Sequence, residues 1–416
     1  MIFNLFQRLF GNLQKDTLDI NTDVLLDNIH CLDKDKLLNR NLPKIFCSNN
    51  AFISSLEQDM NHYYSSSKII NGNLSSKKVS LSKLTQGLIV FSSNKKFLKD
   101  IENKSHFKKI SENNIHIIDP GVFDSIKINL FDAPTAEIKR RCSVLFLSNI
   151  KFKTQSLLDS RINSIILSHF IDLAVLNARL NHKVPSINDL RKLLQDHSTL
   201  VQAYKMVKND FESKTSYSDM FDYSLWILGK KGFDSESPVF LQNTYDHVSN
   251  VLFWFDRFIA EYNIEKRHPG VSTSLVEHSI NLANNIQRTL AIKEVNNLFG
   301  YSKDSISFSK IVSNLSNTGI WLINYSCSNS ERTKLIADLL LTSLLRDRYG
   351  YEDKGKNELS SLPLYCDQWS KYISREQIYW LELLSVEKNN LYFSGLDKEK
   401  DNFRNYKLGS LFYFLD

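Results

Sequence analysis

Gly87-Leu88-Ile89-Val90-Phe91 is the stretch on which the fold turns. Five apolar residues without a polar interruption make a run of strand length. Such a run predicts a strand buried on both faces, as in parallel sheets covered by helices. Three further runs share this character. Ile115-His116-Ile117-Ile118-Asp119 ends in an acid and is followed by Pro120-Gly121. Gly319-Ile320-Trp321-Leu322-Ile323-Asn324-Tyr325 is the second, and Leu364-Tyr365-Cys366-Asp367 the third, again closing on an acid. A short amphipathic helix from about Asn94 to Ile101 separates the first two runs. Strand, helix, strand is the grammar of a parallel α/β unit. The four runs are expected as adjacent parallel strands of one sheet.

Between the second and third runs the pattern is helical. Leu157 to Leu180 carries apolar residues at helical spacing. Ser186, with Asp189 three residues on, opens another helix. Ser274-Leu275-Val276-Glu277 is a capping box that starts a helix read as running to about Phe299. From about 135 to Gly300 the only glycines are Gly229, Gly232, Gly270 and Gly300 itself, so few breaks are available. After Gly300 the α/β grammar returns, with Ser328-Asn329-Ser330-Glu331 capping a long helix that ends at Tyr349-Gly350. Leu391-Tyr392-Phe393 and Leu411 to Leu415 read as closing strands. The expected organisation is an N-terminal arm over 1–67, a first α/β part over 68–134, an all-helical insertion over 135–300 and a second α/β part over 301–416.

The 416 residues include only 13 glycines and 7 prolines, well below ordinary usage, which excludes collagen-like and linker-like architectures. Lys and Arg number 52 against 46 Asp and Glu, a formal charge of +6 that neither requires nor excludes a nucleic-acid partner. Five scattered cysteines, Cys31, Cys47, Cys142, Cys327 and Cys366, form no CxxC pair, so neither a disulfide framework nor a zinc ribbon is indicated. The best apolar stretch, Ile165 to Leu176, is broken by Ser168, His169 and Asp172, and no membrane span is expected. A cytoplasmic location follows as the expectation, or a peripheral one at the inner membrane. At the N-terminus, Phe3, Phe6, Leu9 and Phe10 fall on one helical face without a signal-peptide pattern. That face suits docking on the protein's own body, on a partner groove or on a membrane surface.

The order of these elements resembles the HerA/FtsK-like P-loop ATPases, specifically the TraD/TraG-type coupling proteins of conjugation and type IV secretion. The pieces that carry the resemblance are Ile70-Asn71-Gly72, Gly87 to Phe91, Ile118-Asp119-Pro120, Ile128-Asn129-Leu130-Phe131, Gly319 to Asn324, and Leu364-Tyr365-Cys366-Asp367-Gln368, in that order. It implies a RecA-like P-loop core with a mainly parallel sheet, interrupted by a large helical domain. It also implies partners in a secretion or conjugation machinery, a homo- or hetero-oligomeric ring, and a nucleic acid.

The departures are as informative. A phosphate loop needs G-x-x-x-x-G-K-[ST], because glycines let backbone N–H groups turn toward the phosphates. Here the strand is followed by Ser92-Ser93-Asn94-Lys95-Lys96-Phe97-Leu98, with no glycine and no Ser or Thr after the lysines. Lys95 or Lys96 either meets a phosphate as a point charge or sits at a solvated helix start. Asp367 stands where the resemblance implies a metal-holding acid. The following residue, which should be a glutamate base, is Gln368, and a carboxamide takes no proton at neutral pH. The arginine implied after the next helix is replaced by Ser385-Val386-Glu387-Lys388-Asn389, and the glutamine motif by Ser394-Gly395. Ser93, Asn94, Lys95, Lys96, Asp367 and Gln368 thus read as a degenerate nucleotide site, with no catalytic residue and no resident cofactor or metal expected.

Nothing else nominates an active site. His169, His182 and His197 lack a fixed ligand spacing, and no HExxH or G-x-S-x-G occurs. Basic residues do cluster: Lys77, Lys78, Lys95 and Lys96, then Lys139, Arg140 and Arg141, are the candidates for nucleic-acid contact, or lie on solvated faces. Three readings stand at this stage. The first is a pseudo-ATPase relative of the coupling proteins that acts through binding or assembly of a DNA- or protein-transfer complex. The second is an active ATP- and Mg²⁺-dependent translocation subunit with an atypical loop, and the third an unrelated α/β and helical adaptor.

Overall fold

The computed structural model describes residues 44–46, 87–103, 115–147, 157–214, 216–228, 238–267, 274–312, 319–350, 364–367, 374, 377, 391–394 and 413–415. The N-terminal face of Phe3, Phe6, Leu9 and Phe10, the strand read at Ile70, the lysines Lys77 and Lys78, and Gln368 all lie outside the described residues.

The strands are β1 (Lys44–Phe46), β2 (Gly87–Ser92), β3 (Ile115–Ile118), β4 (Gly319–Asn324), β5 (Leu364–Cys366), β6 (Leu391–Ser394) and β7 (Tyr413–Leu415). They form one sheet in the order β3-β4-β2-β5-β6-β1-β7, and every pairing is parallel. The four expected strands are therefore adjacent, although the helical insertion separates β3 from β4 in the chain. β2 lies between β4 and β5, in register from Gly87↔Gly319 to Ser92↔Asn324 with the former. Ile89, Val90 and Phe91, and Ile320 to Ile323, are all nearly devoid of solvent contact. Continuous apolar runs are what a strand with both faces covered requires.

Two readings need correction. Ile115–Ile118 looked like a strand buried on both faces. In the structure it pairs with β4 alone among the described residues, and Ile117 is 36% exposed. An edge strand tolerates an apolar run as readily as a central one, so composition did not separate them. β1 was missed, because three residues, Lys44-Ile45-Phe46, are too few to show a period.

The described helices are α1 (Lys95–Asn103), α2 (Thr135–Cys142), α3 (Leu157–Leu180), α4 (Ile187–Gln195), α5 (His197–Glu212), α6 (Phe221–Leu228), α7 (Pro238–Arg267), α8 (Ser274–Ala291), α9 (Lys293–Phe299), α10 (Phe308–Val312) and α11 (Ser330–Gly350). From 135 to 300 every regular element among the described residues is helical. α2 runs directly into a π-helical turn, Ser143–Leu147. α3 is the centre of this part, and its residues from Ile166 to Leu176 are mostly buried, as a helix apolar on nearly every side must be. It ends with His182 in the left-handed region at φ 55°, where His182 N–H donates to Arg179 O and Lys183 N–H to Ala178 O. That is a Schellman close, made without its usual glycine. At α4 the Asp189 carboxylate accepts from Ser186 N–H and Oγ, the expected capping arrangement.

The helix read from Ser274 to Phe299 is two helices. Ile292 leaves the helical region at ψ 123° and begins α9. No glycine or proline marks the break. The segment after β3 meets the end of the helical part and the chain beyond it through backbone, with Ile128 N–H donating to Leu298 O and Asn129 N–H to Ile306 O. Asn297 Nδ2 donates to Pro120 O, in the turn after β3. One apolar cluster runs without interruption from β2 and β4 through α11 into α3 and α7.

Candidate functional site

In an open parallel sheet, ligands bind beyond the carboxyl ends of the strands, where connections leave the central strand toward opposite sides. Here that point is the end of β2, flanked by the ends of β4 and β5. The residues gathered there are Ser92, Ser93, Asn94 and Lys95, with Asn324 and Tyr325 after β4, Asp367 after β5 and Asp119 after β3.

These groups are joined to one another. Asp367 N–H donates to Phe91 O at 2.8 Å, and the Asp367 carboxylate accepts from Ser92 Oγ at 2.8 Å inside the protein. Tyr325 Oη donates to Asp367 O at 3.0 Å while its ring stacks on Phe91. Ser92 Oγ in turn accepts from Asn94 N–H at 3.0 Å. Asn94 then caps α1: its Oδ1 accepts from Phe97 N–H, and its carbonyl from Leu98 N–H, both at 3.1 Å. Only Ser93 and Asn94 separate strand from helix.

Lys95 reaches sideways to the end of β3. Its ammonium lies 3.4 Å from Asp119 Oδ1, half-exposed, and sits against Gly121, where a β-carbon would collide with it. The same Asp119 oxygen accepts from Gly121 N–H, and Asp119 N–H donates to Ser125 Oγ, both at 2.7 Å. Lys96 is exposed. Asn324 is 1% exposed; its Oδ1 accepts from Ser326 N–H, while its buried Nδ2 finds no partner.

A nucleotide with Mg²⁺ needs several backbone N–H groups pointing into an open loop, and a carboxylate turned toward the metal. Asn94 N–H is taken by Ser92, Phe97 N–H by Asn94, and the Asp367 carboxylate receives a serine hydroxyl. The two-residue junction between β2 and α1 offers no glycine loop of that kind. Among the described residues no cluster of three His, Cys, Asp or Glu side chains suits a metal ion. The structure brings Ser93, Asn94, Lys95 and Asp367 to one edge of the sheet. Sequence reasoning missed Ser92 and Asn324; the available signal was a polar residue closing each buried strand.

The basic triplet at the start of the helical part has a different fate. Lys139 Nζ lies 2.7 Å from Asp172 Oδ2, whose side chain is 1% exposed. Arg140 Nη2 is 2.7 Å from Glu137 Oε1 and donates to Ser343 Oγ at 2.8 Å. Arg141 is wholly buried: Nε meets Glu137 Oε1 and Nη2 meets Asp347 Oδ1, both at 2.9 Å, and its guanidinium lies 4.5 Å from the Phe308 ring centre. Arg346 adds a 2.6 Å contact to Glu137. The expectation that these cations face a nucleic acid is corrected at Arg141. A side chain with no exposed surface reaches no external phosphate.

Burial opposes ionisation of Glu137, but the Arg140 hydrogen bond and the charges of Arg141, Arg140 and Arg346 outweigh it and lower its pKa. Asp347 has a single close guanidinium, and there burial wins, pushing its carboxyl up to about 6. Burial also lowers His169, to about 4, beside Trp254, on which it stacks. His182 closes α3, and His197 stacks on Tyr262. All three histidines are parts of the fold.

No helix among the described residues is long and apolar enough to cross a membrane. No family model matches the chain, and no curated protein matches its sequence. Among solved structures it is similar to the bacterial conjugative coupling protein TrwBdeltaN70 in its unbound monoclinic form, at 9% identity over 77% of this chain and 68% of that one, with a TM-score of 0.36. It is also similar to TrwB in complex with GDPNP, at 8% identity over 74% and 63% of the two chains and a TM-score of 0.35. The ADP and Mg²⁺ complex of TrwB gives the same identity and coverage with a TM-score of 0.34. At such scores the likeness says nothing about activity or site residues.

Proposed function

We propose that this chain is a catalytically degenerate relative of the coupling ATPases of conjugation and type IV secretion, a pseudo-ATPase that acts by binding or assembly within a DNA- or protein-transfer complex. One observation carries the reading: the edge of the sheet that would hold a nucleotide is closed by its own hydrogen bonds. The Asp367 carboxylate accepts from Ser92, and Ser92 accepts from the backbone of Asn94, which caps the helix beginning one residue later. That chain of bonds engages two backbone N–H groups and one oxygen of the acid that a phosphate and a metal would draw on. The place of this protein in a transfer machinery rests on the order of its elements, α/β core, helical insertion, α/β core. Calorimetry with Mg-ATP is expected to show no binding tighter than about 1 mM, a level worth only ~4 kcal/mol. Micromolar affinity that disappears on changing Lys95 or Lys96 would overturn the pseudo-enzyme reading and establish an active motor with an unorthodox loop.

A further inference from the structure

α2 is two turns long, and its side chains are committed in two directions. Toward the helical part, Lys139 is paired with Asp172 of α3, and Thr135 Oγ1 donates to Trp226 O at the end of α6. Toward the α/β part, Glu137, Arg140 and Arg141 are held by Ser343, Arg346 and Asp347 of α11. Asp172 also lies 3.3 Å from His247 of α7, whose side chain is 36% exposed. A line of polar and charged groups thus runs from the surface at His247, through Asp172 and Lys139, across α2, to Asp347. The ion pairs along it include buried partners. Asp172 and Arg141 have 1% and 0% side-chain exposure. Buried ion pairs tolerate little displacement, because water does not replace a lost partner. A short helix held rigidly on both sides moves as a unit.

We propose that α2 is a coupling element, through which a change at the Asp172 cluster of the helical part is transmitted to α11 of the α/β core. Contact with a partner at the helical surface beside His247 would be one such change. The inference is independent of whether the sheet edge binds nucleotide.

Amide hydrogen exchange on the full chain tests it, since exchange reports local opening element by element. Lys139→Gln, which removes the cation of the pair with Asp172 of α3, is expected to speed exchange in α11 about tenfold, within the range of coupling between networked residues. Lys208→Gln, which breaks the Lys208–Asp256 pair in the same helical part, should leave α11 unchanged. Should Lys139→Gln fail to fold, Asp347→Asn gives the reciprocal measurement: exchange in α3 around Asp172 should rise while α5 stays as it was. Acceleration confined to α2 and α3 would overturn the proposal. So would a uniform rise across all helices, α5 included, which marks general loss of stability rather than transmission.

Discussion

The carboxyl edge of the sheet and the seam between α2 and α11 are both polar, and they are built on opposite principles. At the edge a buried carboxylate, Asp367, accepts from a serine hydroxyl, and the cation paired with Asp119, Lys95, is half in water. At the seam three arginines and two acids are packed together, with Arg141 wholly removed from solvent. An active phosphoryl-transfer site concentrates charge where the ligand arrives. In this molecule charge is concentrated where two parts of the chain meet. Its position says that the fold invests its electrostatics in holding the helical part against the core.

The largest test of that contrast is at the seam. Arg141→Met should lower stability by about 3–5 kcal/mol in chemical denaturation, since Glu137 and Asp347 then stay buried with fewer counter-charges. A loss below about 1 kcal/mol would show that the seam is no more committed than a surface pair.

A pH experiment sharpens the same point. Asp347 titrates near 6 in the fold against 3.8 as its ordinary value. The native state therefore binds this proton more tightly than the unfolded chain. Its contribution is fully present below about pH 4 and declines as pH rises to about 6, by at most ~3 kcal/mol. Glu137 works in the other direction: its lowered carboxyl contributes stability that is present above its ordinary value of 4.5 and is lost as pH falls from there through its folded value. Comparing wild type with Asp347→Asn between pH 4 and 7.5 isolates the first effect. The wild type should lose stability relative to the variant as pH rises; an unchanging difference would remove Asp347 from the account.

At the sheet edge the expected effects are smaller. Asp367→Asn keeps an oxygen for Ser92 Oγ and should change stability by ~1 kcal/mol while leaving a transfer or secretion assay nearly intact. A well-folded variant without function would mean that this acid still does chemistry. Smallest of all, Lys95→Met should shift the midpoint by less than about 0.5 kcal/mol, as befits a half-exposed pair.

Much of this architecture was legible in the residues. β2 and β4 announced themselves because a strand covered on both faces carries its burial in every residue, and four such runs implied one sheet. β1 is too short to show a pattern. The break at Ile292 has no glycine or proline to mark it. The site was legible by what it lacks: glycines after Phe91. Its closure by Ser92 was not, since a serine after an apolar run is commonplace until its partner, 275 positions away, is known. The basic triplet misled for a related reason. Sequence shows charge but not its partners, and Asp347 lies 206 positions from Arg141.

The brevity of the junction between β2 and α1 has a consequence for the history of this chain. A phosphate loop is eight positions long, and only Ser93 and Asn94 stand between strand and helix. Substitution alone cannot supply that length. Acquiring such a loop would need an in-frame insertion between Ser92 and Lys95. Insertions are rarer than substitutions, so lineages that descend from this sequence should retain the short junction however freely their surface residues drift.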